Sequence, residues 1–177
     1  LKKDDFLIEF GCGNGRDSVF FAHNDINVLA IDQCENEISL LSKQNSNPKL
    51  KFKHDDFTKL GDVGIFDAVY SRFTMHSIKE DEETRAINWA YEHLNKEGKL
   101  LIEMRGKKNE LYKLGEAVSG ESDAYIYEGH YRRFVDMDTL CQKITKTGLK
   151  ILSAEEKSGF SPFKDTDYTF IRIVASK

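Results

Sequence analysis

Proline is nearly absent: Pro48 and Pro162 are the only two in 177 residues. That excludes polyproline and collagen-like chains and leaves long stretches free to form helix or strand. Cysteine is scarce as well. Cys12, Cys34 and Cys141 are odd in number and widely spaced, which excludes a disulfide framework and suits free thiols in a reducing cytoplasm. No Cys-x-x-Cys, His-Glu-x-x-His or P-loop pattern occurs, so zinc and nucleotide-triphosphate sites are not expected, and no metal is. No run of about 18 uncharged apolar residues is present, so no membrane-spanning helix is expected. The opening Leu1-Lys2-Lys3-Asp4-Asp5 has no signal-peptide pattern. Basic excess is lacking too. With 26 Lys plus Arg against 30 Asp plus Glu the net charge is −4, which weighs against a nucleic-acid partner.

What is present is a globular balance, 40% apolar and 32% charged, over a length that suits one domain, residues 1–177. The first 105 residues alternate strand and helix patterns. Strands are expected at Phe6–Phe10, Ile26–Ile31, Leu50–Phe52, Ile65–Ser71 and Lys99–Met104. Helices are expected at Arg16–Asn24, around Cys34, Ile38 and Leu41, and along Ala86, Ala90 and Leu94. Ser77-Ile78-Lys79-Glu80 reads as a capping box opening the last of these. Asp136 to Gly148 reads as a further helix, and Leu149–Leu152 and Tyr168–Ala175 as strands joined by a Gly/Ser/Pro loop. The alternation implies an α/β fold with a mainly parallel sheet covered on both faces. A hairpin near the end would add an antiparallel strand.

Residues 106–135 form a long connection, punctuated by four glycines and rich in aromatics (Tyr112, Tyr125, Tyr127, Tyr131, Phe134). Such an insertion can cap a substrate, or it can be a surface excursion with its own small core.

The strongest local signal is Glu9-Phe10-Gly11-Cys12-Gly13-Asn14-Gly15, directly after the first strand. Its glycines permit a sharp turn and close ligand approach, and the helix start beyond them suits an anionic group. The Gly-x-Gly-x-Gly spacing, with Arg16 next, differs from the dinucleotide fingerprint, which disfavours a nicotinamide dehydrogenase. Asp32 closes the second strand, where a carboxylate can accept from a ribose diol; it can also cap the next helix. Asp55-Asp56-Phe57 follows the third strand, where a carboxylate and a backbone N–H can meet an adenine; Asp56 can also serve a turn.

Taken together, these elements resemble the class I S-adenosylmethionine-dependent methyltransferases. Glu9–Gly15 is similar to that family's first motif, Asp32 to its ribose acid and Asp56-Phe57 to its adenine motif. Phe66-Asp67-Ala68-Val69-Tyr70 and Leu94-Asn95-Lys96-Glu97-Gly98-Lys99-Leu100 resemble its fourth-strand and fifth-strand segments. The resemblance implies a Rossmann-like sandwich with a seven-stranded sheet whose last strand is antiparallel. It also implies S-adenosyl-L-methionine as cofactor and S-adenosyl-L-homocysteine as product. The implied cofactor residues are Glu9, Gly11, Cys12, Gly13, Asn14, Gly15, Arg16, Asp32, Gln33, Asp55, Asp56, Phe57 and Ser71. Family members usually carry a helix before the first strand that closes over the cofactor. Here that strand begins by Phe6, so such a helix is expected from a preceding segment or a larger protein.

After the fourth strand stands Ser71-Arg72-Phe73-Thr74-Met75-His76. It lacks the Asn/Asp-Pro-Pro-aromatic loop of amide and DNA nitrogen methylases, and no Pro-Cys nucleophile occurs. What remains is a small-molecule acceptor, most simply at oxygen. A hydroxyl acceptor needs a base. His76 is the first candidate and His130 the second; His76 can equally be a packed histidine beside a helix start. Arg72, Arg105, Arg132 and Arg133 are expected to converge with Tyr131 on an anionic acceptor, although pairing with the acidic excess is the plain alternative. The strand-end segments are similar to bacterial surface-polysaccharide methyltransferase domains, which implies a sugar, nucleotide-sugar or phosphate-linked acceptor. Gly11–Ser18 also resembles the tellurite-resistance and thiopurine group, which implies sulfur, selenium or tellurium acceptors. A non-catalytic cofactor-binding module is the remaining alternative.

Overall fold

Leu7 to Phe10 are all buried although they run consecutively along one strand, which requires cover on both faces. The computed structural model, which describes residues 1–177, supplies that cover. Strands β1 (Phe6–Phe10), β2 (Asn27–Asp32), β3 (Leu50–His54), β4 (Phe66–Arg72) and β5 (Leu94–Met104) lie parallel in the order β3-β2-β1-β4-β5. The segment after β5 adds β6 (Glu116–Ala117), β7 (Ala124–Tyr127) and β8 (His130–Arg133), a separate antiparallel sheet. Finally β9 (Lys150–Lys157) and β10 (Phe170–Ser176) extend the main sheet, with β10 antiparallel between β5 and β9. The Rossmann-like sandwich, with a seven-stranded sheet and antiparallel last strand, is therefore the fold.

Helices α1 (Arg16–His23) and α2 (Glu35–Gln44) bury Ala22 and Ile38 against Leu7, Val28, Ala30 and Ala68 on one face. Helices α3 (Glu80–His93) and α4 (Met137–Lys146) bury Ile87, Trp89, Leu140 and Ile144 against Ile8, Phe10, Val69, Ile102 and Ile173 on the other. Strand order reverses between β1 and β4, and the loops after these strands open at the same edge. A crevice at that reversal is where an open α/β sheet binds ligands.

Several boundaries differ from the sequence reading. The expected capping box at Ser77 is not formed. Met75–Ser77 make a single 3-10 turn, Ile78 is buried, and α3 begins at Glu80. Glu82 performs the reciprocal half of the cap, accepting from the Lys79 N–H at 2.9 Å. β5 starts five residues early, at Leu94, because Glu97 turns left-handed (φ 67°) and the chain end ties it down. Glu97 N–H donates to the Lys177 carbonyl and Lys177 N–H to that of Gly98. β9 runs on to Lys157 because β10 pairs with its whole length.

The 106–135 insertion has its own small core of Tyr112, Tyr125 and Phe134, with ring centroids 5.5–6.1 Å apart. It is also fixed to the main body. Arg133, 6% exposed, pairs with the fully buried Glu83 of α3, and Lys143 of α4 meets the same carboxylate at 2.6 Å. Lys107 and Tyr112 share Asp123 at 2.7 and 2.6 Å.

Removing one member of a buried ion pair strands its partner. Glu83→Gln, which leaves two cations around a neutral amide, is expected to cost about 3–5 kcal/mol, read as a fall in the urea midpoint with unchanged slope.

Candidate active site

The loop after β1 is shaped by what its neighbours exclude. At Gly11 the backbone is left-handed (φ 70°), and a Cβ there would sit 2.4 Å from Thr74 Cγ2, so only glycine fits. At Gly13 (φ 51°) a Cβ would point into open space, the mouth of a cavity of about 250 Å³. Glu9, Gly11, Cys12, Gly13, Asn14, Arg16, Asp17, Arg72, Phe73 and Thr74 line it. α1 begins directly behind it from Gly15, which has no side chain to cap it; the Arg16 N–H donates to Asn14 Oδ1 at 3.3 Å, and the positive end of the helix still favours an anionic group there.

Asp32 at the end of β2 is held by two backbone donors: Gly13 N–H to Oδ2 at 2.8 Å and Cys34 N–H to Oδ1 at 2.9 Å. Each oxygen keeps a second acceptor position, so the carboxylate is oriented for a diol. It holds the turn that leads into α2 and is a candidate ribose ligand at once. Gln33 reaches across to Asp56 Oδ1 at 2.9 Å. Asp56 does serve a turn: Oδ1 also accepts from the Thr58 amide (2.9 Å) and hydroxyl (2.7 Å), and Lys59 meets Oδ2 at 3.0 Å. Asp55 pairs with Lys53 at 2.6 Å. Phe57 is buried, its ring 5.1 Å from Phe10 and nearly parallel to it. Burial pushes the Cys12 thiol up, so it stays protonated. Arg16 lies exposed against Asp17, and Ser71 is fully buried with its hydroxyl unpartnered.

Arg72, at the end of β4, is the hub. Its Nη1 donates to both oxygens of Asp17 (3.0 and 3.2 Å), its Nε to Glu103 (3.1 Å) and its Nη2 to Ser161 (2.9 Å). Tyr70 donates to Asp17 at 3.0 Å. Burial opposes ionisation of Asp17, but Arg72 and Tyr70 outweigh it and hold its carboxyl below the usual range. Glu103 also pairs with Arg172. Arg72 is thus committed within the protein.

Phe73 carries a left-handed backbone (φ 61°), a costly state for an aromatic residue and a mark of functional segments. Its ring lies 4.6 Å below the Arg72 guanidinium and 4.8 Å from Phe170. Phe170 and Tyr168 in turn lie under Arg105, at 5.0 and 5.2 Å. Arg105 donates through Nη1 to Asn109 (2.9 Å), while its buried Nε has no partner. His76, 5% exposed, accepts the Arg105 backbone N–H at Nδ1 (3.3 Å). Burial, then Arg105, Arg132 and Arg133, push its imidazole down to about 3, so it is neutral. Arg132 donates to the Tyr127 carbonyl at 2.9 Å. Arg133 faces inward to Glu83, Tyr131 is tied to Glu121 at 2.6 Å, and His130 is exposed on β8. Of the expected cluster, the structure brings Arg105, Arg132 and His76 together, and directs Arg72 and Arg133 to carboxylates.

Sequence reasoning gave no role of their own to Asp17, Phe73, Thr74, Asn109, Tyr168 and Phe170. Asp17, directly behind the glycine loop, had a local signal. The rest depend on long-range packing.

The glycine cradle, the anchored acid after β2 and the reversed strand order define a nucleoside-binding α/β domain of methyltransferase type. A family model described as a methyltransferase domain matches residues 7–98, and the chain belongs to that family: it is an S-adenosylmethionine-dependent methyltransferase. No curated protein matches it. Among solved structures it is similar to an S-adenosylmethionine-dependent methyltransferase from Methanosarcina mazei, at 19% identity and TM-score 0.84, covering 100% of this chain and 94% of that one. It is similar also to the 1,6-didemethyltoxoflavin-N1-methyltransferase of Burkholderia thailandensis with bound S-adenosylhomocysteine, at 16% identity, TM-score 0.72 and coverage of 99% and 72%. A third likeness is to the [4+2]-cyclase SpnF, at 16% identity, TM-score 0.76 and coverage of 100% and 76%. At these identities the likeness is one of fold.

The residues fit the cofactor. A helix start behind a glycine cradle suits its carboxylate, Asp32 suits its ribose, and Gly13 leaves the space a side chain would fill.

Two outcomes follow. Asp32→Ala is expected to weaken S-adenosylhomocysteine binding by about 10–100-fold, the worth of a charge-assisted hydrogen-bond pair, measured by calorimetry. His76 binds fewer protons folded than unfolded between about 3 and 6.5, so its contribution to stability is complete above 6.5 and is lost as pH falls through that window. His76→Gln should flatten the acid limb of the melting-temperature profile relative to wild type.

Proposed function

We propose that this methyltransferase transfers its methyl group to an oxygen of a small anionic acceptor bound between Arg105 and Arg132. One observation carries the reading. Arg16, Arg72, Arg85, Arg133 and Arg172 all pair with carboxylates, whereas Arg105 and Arg132 have none within 4.0 Å. These two unpaired cations stand together at the edge where β5 ends, and each depresses the neighbouring imidazole. Arg105 feels Arg132 directly: burial and then that repulsion lower its own pKa. An incoming carboxylate or phosphate relieves the repulsion and supplies the fork with its planar partner.

When bound, S-adenosylmethionine supplies an electrophilic sulfonium methyl. The chain's work is positioning. The cradle and Asp32 fix the donor side, Arg105 and Arg132 the acceptor, and Phe73 with Phe170 form the apolar wall between them. An acceptor oxygen that is already anionic needs no base. For a hydroxyl acceptor, neutral His76 is the proton acceptor in reach of this cluster, and exposed His130 is the second. The residues called on for the cofactor are Glu9, Gly11 to Arg16, Asp32, Gln33, Asp55–Phe57 and Ser71.

The acceptor class that suits two arginines beside aromatic rings is a phosphorylated sugar, a nucleotide sugar or another glycan precursor met in the cytoplasm. Nucleic acid is disfavoured by the net charge of −4. The chain acts as one domain, with 106–135 as a wall of the acceptor site. Burial of His76 favours one second reading, a soft acceptor at sulfur, selenium or tellurium, which needs no base.

The test is a methyl-transfer screen over phosphorylated and nucleotide sugars, their neutral counterparts, and selenite and tellurite with headspace analysis. Turnover is expected for anionic acceptors. Arg105→Met and Arg132→Met are each expected to lower kcat/KM by about 10–100-fold through KM, with S-adenosylhomocysteine affinity unchanged. Turnover of anionic acceptors by these variants at the wild-type kcat/KM, or wild-type turnover of neutral acceptors as fast as of anionic ones, would overturn the reading.

A further inference from the structure

The backbone of Arg105 decides where the His76 ring carries its proton. His76 sits in the 3-10 turn after β4 and is 5% exposed. Its Nδ1 accepts the Arg105 backbone N–H at 3.3 Å. A ring nitrogen that accepts cannot also hold the proton, so the neutral imidazole carries it on Nε2. Nε2 makes no hydrogen bond of its own. The side-chain atoms both sealed from solvent and unpartnered are Ser71 Oγ and Arg105 Nε; Nε2 of His76, also unpartnered, therefore meets solvent.

The charges that act on this ring are Arg105, which follows β5, and Arg132 and Arg133 on β8. Arg133 is committed to Glu83 and to the Ile78 carbonyl. The other two keep donors free. Arg105 uses Nη1 on Asn109, and Arg132 uses Nη1 on the Tyr127 carbonyl; neither Nη2 has a partner. Acceptors nearby are already filled. Asn109 Oδ1 takes the Arg105 donor and the Leu111 N–H, at 2.9 and 3.1 Å. Glu110, the carboxylate whose charge Arg105 feels, accepts from the Thr169 amide and hydroxyl at 2.8 and 2.9 Å. Apart from the Tyr168 hydroxyl, which can donate or accept, the free side-chain groups of this cluster are donors.

We propose that His76 is a hydrogen-bond donor to the methyl acceptor rather than a base: its Nε2–H completes, with the free donors of Arg105 and Arg132, a site for a fully deprotonated oxyanion of the phosphate-monoester class. The proposal rests on the acceptor site placed between Arg105 and Arg132 and adds to it the protonation state of what binds. A carboxylate offers two oxygens in one plane and a single charge. A phosphate monoester offers three oxygens about a tetrahedral centre and close to two charges, which matches three donor groups, two of them cationic. A hydroxyl acceptor would need the other tautomer, with the ring proton on Nδ1 against the Arg105 N–H. In the tautomer that the hydrogen bond assigns, His76 removes no proton.

The experiment is a long-range proton–nitrogen NMR spectrum of the nitrogen-15-labelled full chain, titrated with inorganic phosphate and, separately, with acetate. His76 is expected to show the neutral, Nε2-protonated pattern throughout pH 5 to 8. Phosphate should shift Nε2 and its proton, with affinity rising as the pH converts phosphate to its dianion; acetate should bind about tenfold more weakly. Arg105→Met, Arg132→Met and His76→Leu should each weaken phosphate binding by about tenfold or more, with S-adenosylhomocysteine affinity unchanged. His76→Gln, whose amide can donate from near the Nε2 position, should bind phosphate within a few-fold of wild type. The wild-type spectrum decides the tautomer even should His76→Leu not fold. A ring protonated on Nδ1, or an Nε2 unmoved by bound phosphate, would overturn the donor role and leave the arginine site standing. Phosphate binding unaffected by Arg105→Met and Arg132→Met, or no phosphate binding by wild type, would remove the arginine site and the donor with it.

Discussion

Everything at the working edge of this sheet depends on where one guanidinium is held. Arg72 joins α1 through Asp17, β5 through Glu103 and the β9–β10 loop through Ser161, and its flat face lies over Phe73. A planar fork with donors on both sides can make such a three-way joint; a lysine, with one compact charge, cannot. The joint fixes the sharp turn after β4, and that turn places Thr74 against Gly11 and Phe73 against Phe170. The glycine loop and the Phe73–Phe170 pair thereby take their positions from the same residue.

Charge around the crevice is sorted into two kinds. Arg72 with Asp17 and Glu103, and Arg133 and Lys143 with Glu83, are satisfied internally and act as joints. Glu9 on one side and Arg105 with Arg132 on the other make no ion pair within 4.0 Å, although Arg72 and Glu110 lie near enough to act on Glu9 and Arg105. Burying an unpaired ionisable group is costly, and a fold carries that cost where a ligand will later offset it.

Much of the fold was legible in the sequence because β1, β2 and β3 each end at a glycine or an acid that marks them. The order of patterns from Phe6 to Met104 gave the parallel sheet, and the glycine loop with Asp32 gave the cofactor side. The capping box at Ser77 misled because Ser77 and Glu80 have the right types and spacing, but burying Ile78 delays the helix by two residues. Arginine roles were less legible. Arg72, Arg105, Arg132 and Arg133 look alike in sequence, and only long-range contacts separate the two that meet carboxylates from the two that do not. Asp56 looked free for adenine and is engaged by Thr58, Gln33 and Lys59; a turn residue and a base-binding residue have the same local signature.

The anchoring of the 106–135 insertion has a consequence for traffic through the site. Because Arg133 and Lys143 converge on one fully buried carboxylate, the base of the insertion cannot swing outward without exposing that cluster. The insertion is accordingly a fixed jamb rather than a door. If it walls the acceptor site as proposed, selection among molecules rests on the outline of a stationary opening.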